Sequence, residues 1–526
     1  MVLSSLRRKK DTEIGPWKLP CATTSLCPIC TQVIEGRLYE DAGRVFMEKR
    51  CREHGRFSEL ISSDAAFFQK MRRTHYEHPP GVENPRCENT SRCPEACGLC
   101  DRHLSTPAML NIDLTNRCNM NCPICFASSN TTGRLCELDI EQVGAMLDAG
   151  RAIRPHPASC LQYSGGEPTI HPDFLEAVRM ARARNYSQVQ VASNGLRFAA
   201  SRGFAEAAAE AGLDVVYLQF DAMNDDVYVK TRGRPLMETK LRAVANIGAA
   251  GMRIALVPTI VKGLNDDQLG DILKFAIDNI DVVTAISWQP VSITGRIDES
   301  KRLQMRFTTA DLARCIQQQT GFVNMHRDWY PFSIVWPIVR VMEVLTGRPH
   351  MRVSCHPHCG CATYLVVDKH TKTATPIPAF VDIEPAMKAL DELAARIESH
   401  RWLKKISVIS AMNSIKKYFH EDRAPEGWDF NSFLEFINQF VEFNRTCRDK
   451  KTFIDRLKGG RFGILFSASM HFQDVYNYEV DRSRRCVILY AAVDGRLYPF
   501  CTWNSGPCHR ARVEKAFAAG DSQSSS

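Results

Sequence analysis

The sequence predicts an α/β protein built on a partial (β/α)6 TIM-like barrel, with a small cysteine-rich domain before the barrel and an α+β region after it. From about Leu110 to about Gln289, short apolar runs alternate with amphipathic stretches. The runs are continuous and rich in β-branched residues, which is typical of parallel strands buried on both faces. Groups of cysteines lie on both sides of this alternation and mark the two flanking regions.

Composition and charge are those of a soluble protein of several domains. The chain has 526 residues, of which 44% are hydrophobic and 24% charged, and its net charge is +8. This balance suits an anionic substrate or membrane surface, but it lacks the dense basic stripe of a nucleic-acid binder. The basic residues Arg7, Arg8, Lys9 and Lys10 precede no apolar run, and no apolar stretch of about 18 residues occurs. We therefore expect a cytoplasmic protein, with peripheral contact at the inner face of the membrane as an alternative.

Six apolar runs form the predicted barrel strands. In chain order they are LNIDLT, CLQYS, QVQVAS, DVVYLQF, RIALVPTIV and VVTAISWQP. Helical stretches such as HPDFLEAVRMARAR lie between them, so the pattern is that of βαβ units. A flat doubly wound sheet is the competing arrangement. In both arrangements ligands bind at the carboxyl ends of the strands.

The 21 cysteines indicate metal binding rather than disulfides. An odd count in a reducing compartment argues against a disulfide framework, and crowded thiolates there usually hold metal. Cys136, Cys160, Cys315 and Cys447 stand alone, and we interpret them as buried structural thiols.

One cysteine group follows the first predicted strand. Cys118, Cys122 and Cys125 have the spacing C-x3-C-x2-C, and the segment SGGEPT at 164–169 follows the second strand. This pair of motifs resembles the radical S-adenosylmethionine (SAM) superfamily, in which three cysteines hold a 4Fe–4S cluster and the fourth iron binds SAM. One electron then cleaves SAM, and a 5′-deoxyadenosyl radical abstracts hydrogen from the substrate. A zinc knuckle is the alternative for the three cysteines alone.

The resemblance implies a set of residues that bind the cluster and SAM. This set is Cys118, Cys122, Cys125, Phe126, Gly165, Gly166, Glu167, Pro168, Ser193, Asn194, Asp221 and Arg232. The two glycines lack a Cβ, so their backbone can approach a ligand closely, and Glu167 suits the methionine ammonium. Ser193 and Asn194 suit a ribose, and Phe126 suits the adenine. Arg232 or Arg234 suits bidentate contacts that orient SAM or a substrate phosphate.

The N-terminal cysteines resemble those of a rubredoxin or zinc ribbon. Cys27 and Cys30 form a C-x2-C knuckle, and Cys51 follows about twenty residues later. The fourth ligand is His54 or Cys21, and the site holds one iron or zinc ion.

Two further groups suggest one or two auxiliary 4Fe–4S clusters. The first comprises Cys87, Cys93, Cys97 and Cys100. The second comprises Cys355, Cys359, Cys486 and Cys501, with Cys361 and Cys508 as alternates. We accordingly divide the chain into a ribbon domain at 1–70, an auxiliary-cluster segment at 71–107, a radical SAM barrel at 108–330 and a C-terminal cluster and substrate domain at 331–526.

The order of all these motifs resembles the radical SAM group that includes the archaeal tetraether lipid synthase and its bacterial relatives. The resemblance implies carbon–carbon coupling of two lipid chains, with an electron donor such as ferredoxin or flavodoxin. Some members are described as methyltransferases of a pterin precursor, which is the alternative function. A zinc-ribbon scaffold without catalysis is the third hypothesis.

A lipid substrate predicts an apolar tunnel and basic residues near its mouth. The stretch Trp329–Leu345 is the candidate tunnel wall, with ordinary core as its alternative, and Arg340 is a candidate partner for lipid phosphate. Tyr476 and Tyr478 are candidate catalytic residues.

Overall fold

The computed structural model describes residues 18–77, 81–87, 93–130, 134–295, 297, 299–347, 350–399, 415–443 and 460–524. The basic residues at 7–10 and Cys447 lie outside these ranges.

A small antiparallel sheet forms the N-terminal part of the molecule. Its strands pair in chain order and are followed by helix α1; the bounds are β1 (Cys21–Leu26), β2 (Val33–Asp41), β3 (Arg44–Cys51), β4 (Gly55–Ser62) and α1 (Ala65–Arg73). The β2–β3 hairpin turns at Ala42 and Gly43, whose φ angles are +47° and +73°. Two consecutive positive φ angles are those of a type I′ turn, which matches the twist of paired strands.

The six predicted strands form a continuous parallel sheet in the order β11-β9-β8-β7-β6-β5. Their bounds are β5 (Met109–Thr115), β6 (Cys160–Gly165), β7 (Gln188–Ser193), β8 (Val215–Gln219), β9 (Arg253–Val257) and β11 (Val283–Pro290), with β10 (Thr259–Ile260) beside β11. This sheet, with its helices and the N-terminal ribbon, confirms the predicted fold class.

The barrel helices follow the strands. They are α2 (Ile140–Arg151), α3 (Phe174–Ala183), α4 (Leu196–Ala200), α5 (Arg202–Ala211), α6 (Asp225–Arg232), α7 (Met237–Ala249) and α8 (Leu269–Asp278). Side-chain caps begin several of them: Asp139 forms a capping box with Gln142, and Asn224 accepts from the Val227 amide. Their buried alanine, valine and leucine side chains join the strands in one core.

The C-terminal half supplies the remaining elements. They are α9 (Arg302–Met305), α10 (Thr309–Thr320), α11 (Met325–Asp328), β12 (Tyr330–Pro331), α12 (Trp336–Thr346), β13 (Gly360–Asp368), β14 (Ala374–Pro376), α13 (Ile383–Ser399), α14 (Phe430–Phe443), β15 (Phe462–Met470), α15 (Val480–Arg484), β16 (Ile488–Ala491), β17 (Leu497–Pro499), α16 (Phe500–Asn504) and α17 (His509–Ser524).

Two of these strands extend the barrel sheet at both edges. Strand β15 lies parallel to β11, and β16 lies parallel to β5. Pairing at these edges covers backbone groups that would otherwise be open to another chain. The predicted boundary at residue 330 therefore crosses one continuous sheet, because strands from the last third of the chain complete the barrel.

The proposed tunnel stretch Trp329–Leu345 packs as core. Trp329 is fully buried, and α12 lies against α13. The Arg340 guanidinium forms salt bridges with Asp391 at 2.7 Å and with Glu398 at 2.6 Å. It is therefore already paired with carboxylates of the protein. Among the described residues, no helix has both the length and the apolar character needed to cross a bilayer.

The N-terminal sheet is fixed to the C-terminal region by buried polar groups. The Lys49 Nζ donates to the Val475 carbonyl at 2.9 Å. Arg306 lies between Glu59 and Asp474, at 2.7 Å from each, and the three side chains are almost fully buried. Breaking such a pair leaves an unpaired buried charge, so this contact holds the two parts in one arrangement.

Candidate active site

A cavity of about 330 Å³ lies at the carboxyl ends of the barrel strands. It is lined by ten of the twelve residues assigned above to the cluster and SAM: Cys118, Cys122, Cys125, Phe126, Gly165, Gly166, Glu167, Ser193, Asn194 and Arg232. The other two, Pro168 and Asp221, are buried outside this lining. Residues far apart in the sequence are therefore gathered in one place, at the edge of the sheet where parallel strands present ligand sites.

The cysteine loop after β5 is held by side chains rather than by regular secondary structure. The Asn130 amide accepts from the Cys118 N–H at 3.1 Å and donates to the Cys118 carbonyl at 3.0 Å. Arg232 donates to the Ile124 carbonyl at 2.8 Å. Burial raises the pKa of the Cys118 thiol to about 12 and raises that of Cys122. Such thiols ionise when a metal replaces the proton, so the donor set fits an iron–sulfur cluster.

The two glycines of the GGEP motif pack against the start of the cysteine loop. A Cβ on Gly165 would lie 2.2 Å from the Thr115 oxygen, and one on Gly166 would lie 2.0 Å from the Arg117 oxygen. Gly165 also has φ +124°, in the region that favours glycine. The close approach that we predicted is thus made to the protein's own backbone, and it positions the cysteine loop against the turn after β6.

The Glu167 carboxylate connects two neighbouring turns. It accepts hydrogen bonds from Thr169 Oγ1 at 2.6 Å, Ser193 Oγ at 2.8 Å and the Asn194 N–H at 2.7 Å. Burial raises its pKa, and these hydrogen bonds oppose the shift. The carboxylate therefore has a structural role, since it fixes Ser193 and Asn194, and its role toward the methionine ammonium stays a prediction.

Asp221 and Arg232 form a bidentate pair beneath the cysteine loop. The Arg232 Nε and Nη2 lie 2.6 Å and 3.0 Å from the two Asp221 oxygens. The Arg232 guanidinium also lowers the pKa of the nearby Cys122 thiol, against the effect of burial. With these partners and the Ile124 carbonyl, the guanidinium holds the cysteine loop on the barrel. Its expected contact with SAM or a substrate phosphate stays a prediction.

Lys240 is a site residue that our sequence analysis missed. Its Nζ donates to the Gln219 side chain and to the Asn194 carbonyl, both at 2.6 Å. Burial lowers its pKa to about 7. The sequence did contain a signal for this residue. Lys240 lies at helical spacing from Ala243, Val244 and Ile247, so it is a charged residue on the apolar face of α7.

The N-terminal sheet carries a compact metal-binding group. The ligand atoms of Cys27, Cys30, Cys51 and His54 all lie within 4.8 Å of one another. Cys21 instead accepts a hydrogen bond from Arg72 at 3.4 Å. Of the two proposed fourth ligands, the structure therefore brings His54 to the other three, and this donor set fits a tetrahedral ion.

Comparison with known proteins agrees with this geometry. Residues 112–276 match the family model described as the radical SAM superfamily. Residues 19–63 match the HMPTM N-terminal zinc ribbon domain. The 7,8-dihydro-6-hydroxymethylpterin dimethyltransferase of Methanocaldococcus jannaschii is 35% identical over 498 residues, which cover 94% of this chain and 95% of that protein.

This chain belongs to the radical SAM family of that methyltransferase. The radical SAM family uses a 4Fe–4S cluster and SAM, and the ribbon binds metal. The resemblance to tetraether lipid synthase has no support from these comparisons. A probable GTP 3′,8-cyclase of Methanothermobacter thermautotrophicus is 28% identical over 183 residues, which cover 33% of this chain and 55% of that protein.

Solved structures match more distantly. SuiB of Streptococcus suis, bound to S-adenosylmethionine, is 16% identical, with a TM-score of 0.34 over 41% of this chain and 47% of that one.

The two remaining thiol groups lie near each other in this radical SAM protein. In the first group, burial and neighbouring thiols raise the pKa of Cys97 to about 12. In the second group, burial and the neighbouring thiols Cys359 and Cys486 raise the pKa of Cys355, and burial and Cys501 raise the pKa of Cys486. These interactions between thiols indicate that the four are close in space. The alternates lie elsewhere: Cys361 is in the core on β13, and Cys508 contacts the Asn504 carbonyl.

The candidate catalytic tyrosines do not line the cavity. Tyr476 donates to Glu299 at 2.8 Å. Tyr478 is fully buried, accepts from Ser483 at 2.7 Å and lies near thiols of both groups, including Cys97 and Cys501. Its place between the two thiol groups is incompatible with direct contact to a substrate in the cavity.

Proposed function

We propose that this protein is a radical SAM methyltransferase whose substrate is a pterin precursor or a related small heterocycle. The observation that carries the proposal is the similarity to the M. jannaschii dimethyltransferase, which extends through the ribbon, the barrel and the C-terminal region. A ribbon model named for the same kind of protein adds support. This was the alternative reading of the sequence, and the comparisons favour it over lipid coupling.

The bound cluster and SAM supply a carbon radical that removes hydrogen from an unactivated position. The protein's own residues orient the reactants and exclude water. Arg232 and Asn130 hold the cysteine loop, while Glu167 holds the turn that contains Ser193 and Asn194. Phe126, Phe472 and Phe500 form one aromatic wall of the cavity, with the latter two rings stacked at 4.1 Å. Such walls limit side reactions of a radical with solvent.

We also propose that the two remaining thiol groups, one before the barrel at Cys87–Cys100 and one in the C-terminal region, bind auxiliary 4Fe–4S clusters. Each group offers four cysteines, which is the usual ligand count for such a cluster. Burial that raises the pKa of these thiols favours the protonated form until metal binds. An electron donor such as ferredoxin or flavodoxin would then reduce the SAM-site cluster, and peripheral contact with a membrane is not needed for a soluble substrate.

Coupling of two alkyl chains is the second candidate function. It is favoured by the apolar part of the cavity wall, where Met470, Phe472, Ile488 and Phe500 lie together. Against it, Trp329–Leu345 packs in the core, and none of that stretch lines the cavity.

Deletion of the gene in its native host separates the two functions. Under the proposal, mass spectrometry shows pterins that lack methyl groups, while bridged membrane lipids are unchanged. Loss of bridged lipids with normal pterins would instead support alkyl coupling. Complementation with the wild-type gene and with a Cys122→Ala variant controls for effects on neighbouring genes, and only the former should restore the lost product.

A further inference from the structure

We infer that four side chains on adjacent strands, Asn111, Gln162, Gln190 and Tyr490, bind the hydrogen-bonding edge of a planar heterocyclic substrate. We call these four residues the amide row. The inference rests on the proposed function and extends it to the residues that select the substrate. The amide row belongs to the same cavity as the cysteine loop, but it shares no residue with the cluster and SAM set.

Strand register places the four side chains side by side. Tyr490 pairs with Asn111, Asn111 with Gln162, and Gln162 with Gln190, across the adjacent strands β16, β5, β6 and β7. Residues in register on parallel strands present their side chains on the same face of the sheet. All four line the cavity, so that face is the interior of the barrel.

Polar side chains in these positions need an explanation. The interior of such a barrel is ordinarily filled by branched apolar residues. Here Gln188 donates to Gln190 at 2.7 Å, and Gln190 donates to Gln162 at 2.6 Å. This chain of amides ends at Gln162, whose Nε2 has no partner among the described residues and faces the cavity.

Asn111 is the second amide with unused hydrogen-bonding capacity. It is fully buried beside the Tyr490 phenol, yet neither of its amide atoms makes a hydrogen bond of good geometry with a described residue. A buried amide without partners is costly, and most such groups in proteins are satisfied. A bound ligand that supplies both a donor and an acceptor would satisfy Asn111 and Gln162 together.

The chemistry of the row selects a particular ligand edge. Each amide offers one acceptor oxygen and one donor nitrogen, and amides of this kind pair with the donor–acceptor edges of nucleobases. The 2-amino-4-oxopyrimidine ring of a pterin, which guanine shares, has an amine, a ring N–H and a carbonyl along one edge. An alkyl chain offers none of these groups and would leave the amides unpaired.

A group of aromatic rings borders the row. The Tyr490 ring lies 5.5 Å from that of Phe500, which in turn stacks on Phe472 at 4.1 Å. Aromatic faces bind planar heterocycles by stacking, while the amides fix the orientation of the ring edge. The two features together fit a small planar ring better than an extended chain.

The test is anaerobic calorimetry of the cluster-loaded protein with two probes, 7,8-dihydro-6-hydroxymethylpterin and guanosine. We expect Gln162→Met and Asn111→Leu to weaken binding of the pterin about 5- to 100-fold, because each removes a partner of the ring edge. Gln318→Leu changes an exposed glutamine on α10 and should bind the probes as the wild type does. The absorbance of the iron–sulfur clusters shows which variants are folded. The binding result is taken from Gln162→Met or Asn111→Leu, whichever keeps this absorbance.

The outcomes separate this inference from the proposed function. Wild-type affinity in both row variants, together with pterin methylation by the wild type, would overturn the amide row and leave the proposed function intact. Binding of guanosine but not of the pterin, lost in the row variants, would support the row and overturn the pterin substrate. If the wild type binds neither probe but binds a long-chain lipid in vesicles of phosphatidylglycerol, both are wrong.

Discussion

At the scale of single residues, burial determines which groups in this protein carry charge. The second thiol group has a buried guanidinium beside it, because Arg482 is 5% exposed and, against the effect of burial, the Cys359 and Cys501 thiols raise its pKa. In the first group, burial raises the pKa of Cys93, and the basic residues that oppose this shift, Arg484 and Arg102, are more exposed than Arg482. Net charge and hydrogen bonds to sulfur set the reduction potentials of iron–sulfur clusters, so the two auxiliary clusters should differ in potential.

We predict that Arg482→Gln lowers the reduction potential of the second auxiliary cluster by about 60 mV or more, which is tenfold in the equilibrium for one electron. The physical reason is that a buried positive charge favours the more negative, reduced cluster. The measurement is an anaerobic redox titration followed by electron paramagnetic resonance. Arg482→Lys keeps the charge and should titrate near the wild-type potential. Arg484→Gln changes a half-buried arginine on the same helix and should leave the potential of this cluster unchanged. Equal potentials in all four proteins would contradict the prediction.

Lys240 gives a prediction for pH dependence. Its folded pKa is about 7, whereas an unfolded lysine titrates near 10.4, so between these values the unfolded chain binds more protons. The free energy of unfolding should therefore rise with pH between these two pKa values, by up to about 1.4 kcal/mol per pH unit. In Lys240→Met the rise should be smaller by about that amount, as measured by denaturant unfolding from pH 7 to pH 9.5. A part of the rise should remain, because burial also lowers the pKa of Lys49 to about 7 and that of Lys70 to about 8. The exposed Lys230→Met serves as control, and the same slope in both variants would exclude Lys240 as its cause.

At the scale of elements, the turn after β6 and the cysteine loop after β5 form one unit. The Gly166 N–H donates to the Thr115 carbonyl at 2.8 Å, and the Glu167 N–H donates to the Arg117 carbonyl at 2.8 Å. Neither segment has regular secondary structure of its own, so each is positioned by the other. The GGEP motif consequently matters for the geometry of the cluster loop as well as for any ligand.

Gly166→Ala tests this coupling. Its Cβ would meet the Arg117 oxygen, so the cysteine loop must move, and we expect a loss of about 3 kcal/mol in stability together with the SAM-site cluster. Iron and sulfide analysis, with thermal unfolding, measures both effects. Gly203→Ala places a Cβ 3.9 Å from its nearest neighbour on α5 and should be neutral or slightly stabilising. A Gly166→Ala protein with full cluster content would show that the packing is not required.

At the scale of the whole molecule, the C-terminal region unites the ribbon, the thiol groups and the barrel. It covers both edges of the sheet through β15 and β16, and its segment near Asp474 holds the ribbon. Residues of all four predicted domains thus share one core, and residues of three of them share one set of buried ion pairs. We infer that the ribbon contributes to the stability of the region that carries the second thiol group.

Arg306→Met should destabilise the molecule by about 3–5 kcal/mol, since Asp474 would remain buried without its ion-pair partner and Glu59 would keep only Arg302. Limited proteolysis should release the ribbon earlier than in the wild type, and denaturant unfolding gives the free energy. Arg314→Met removes a more exposed arginine, paired with Asp311 at 3.2 Å, and should cost less than about 1 kcal/mol. Equal losses in the two variants would mean that the buried pairs do not hold the ribbon.

The sequence alone determined the local features of this protein. The β-branched runs predicted the six parallel strands, because burial on both faces leaves a continuous apolar pattern. The spacing of Cys118, Cys122 and Cys125 predicted a cluster site, and the Cys27–Cys30 knuckle predicted a ribbon. Each of these signals lies within a few residues or one βαβ unit, so short-range chemistry was sufficient to detect it.

Only the tertiary structure decided how distant groups meet. The choice of His54 over Cys21, the placement of Lys240 under the site and the pairing of β15 and β16 with the barrel all depend on contacts far along the chain. The amide row is the clearest case, because Asn111, Gln162, Gln190 and Tyr490 are neighbours only once the strands are in register. Composition and spacing cannot give a register between strands, since it is set by packing of the complete sheet.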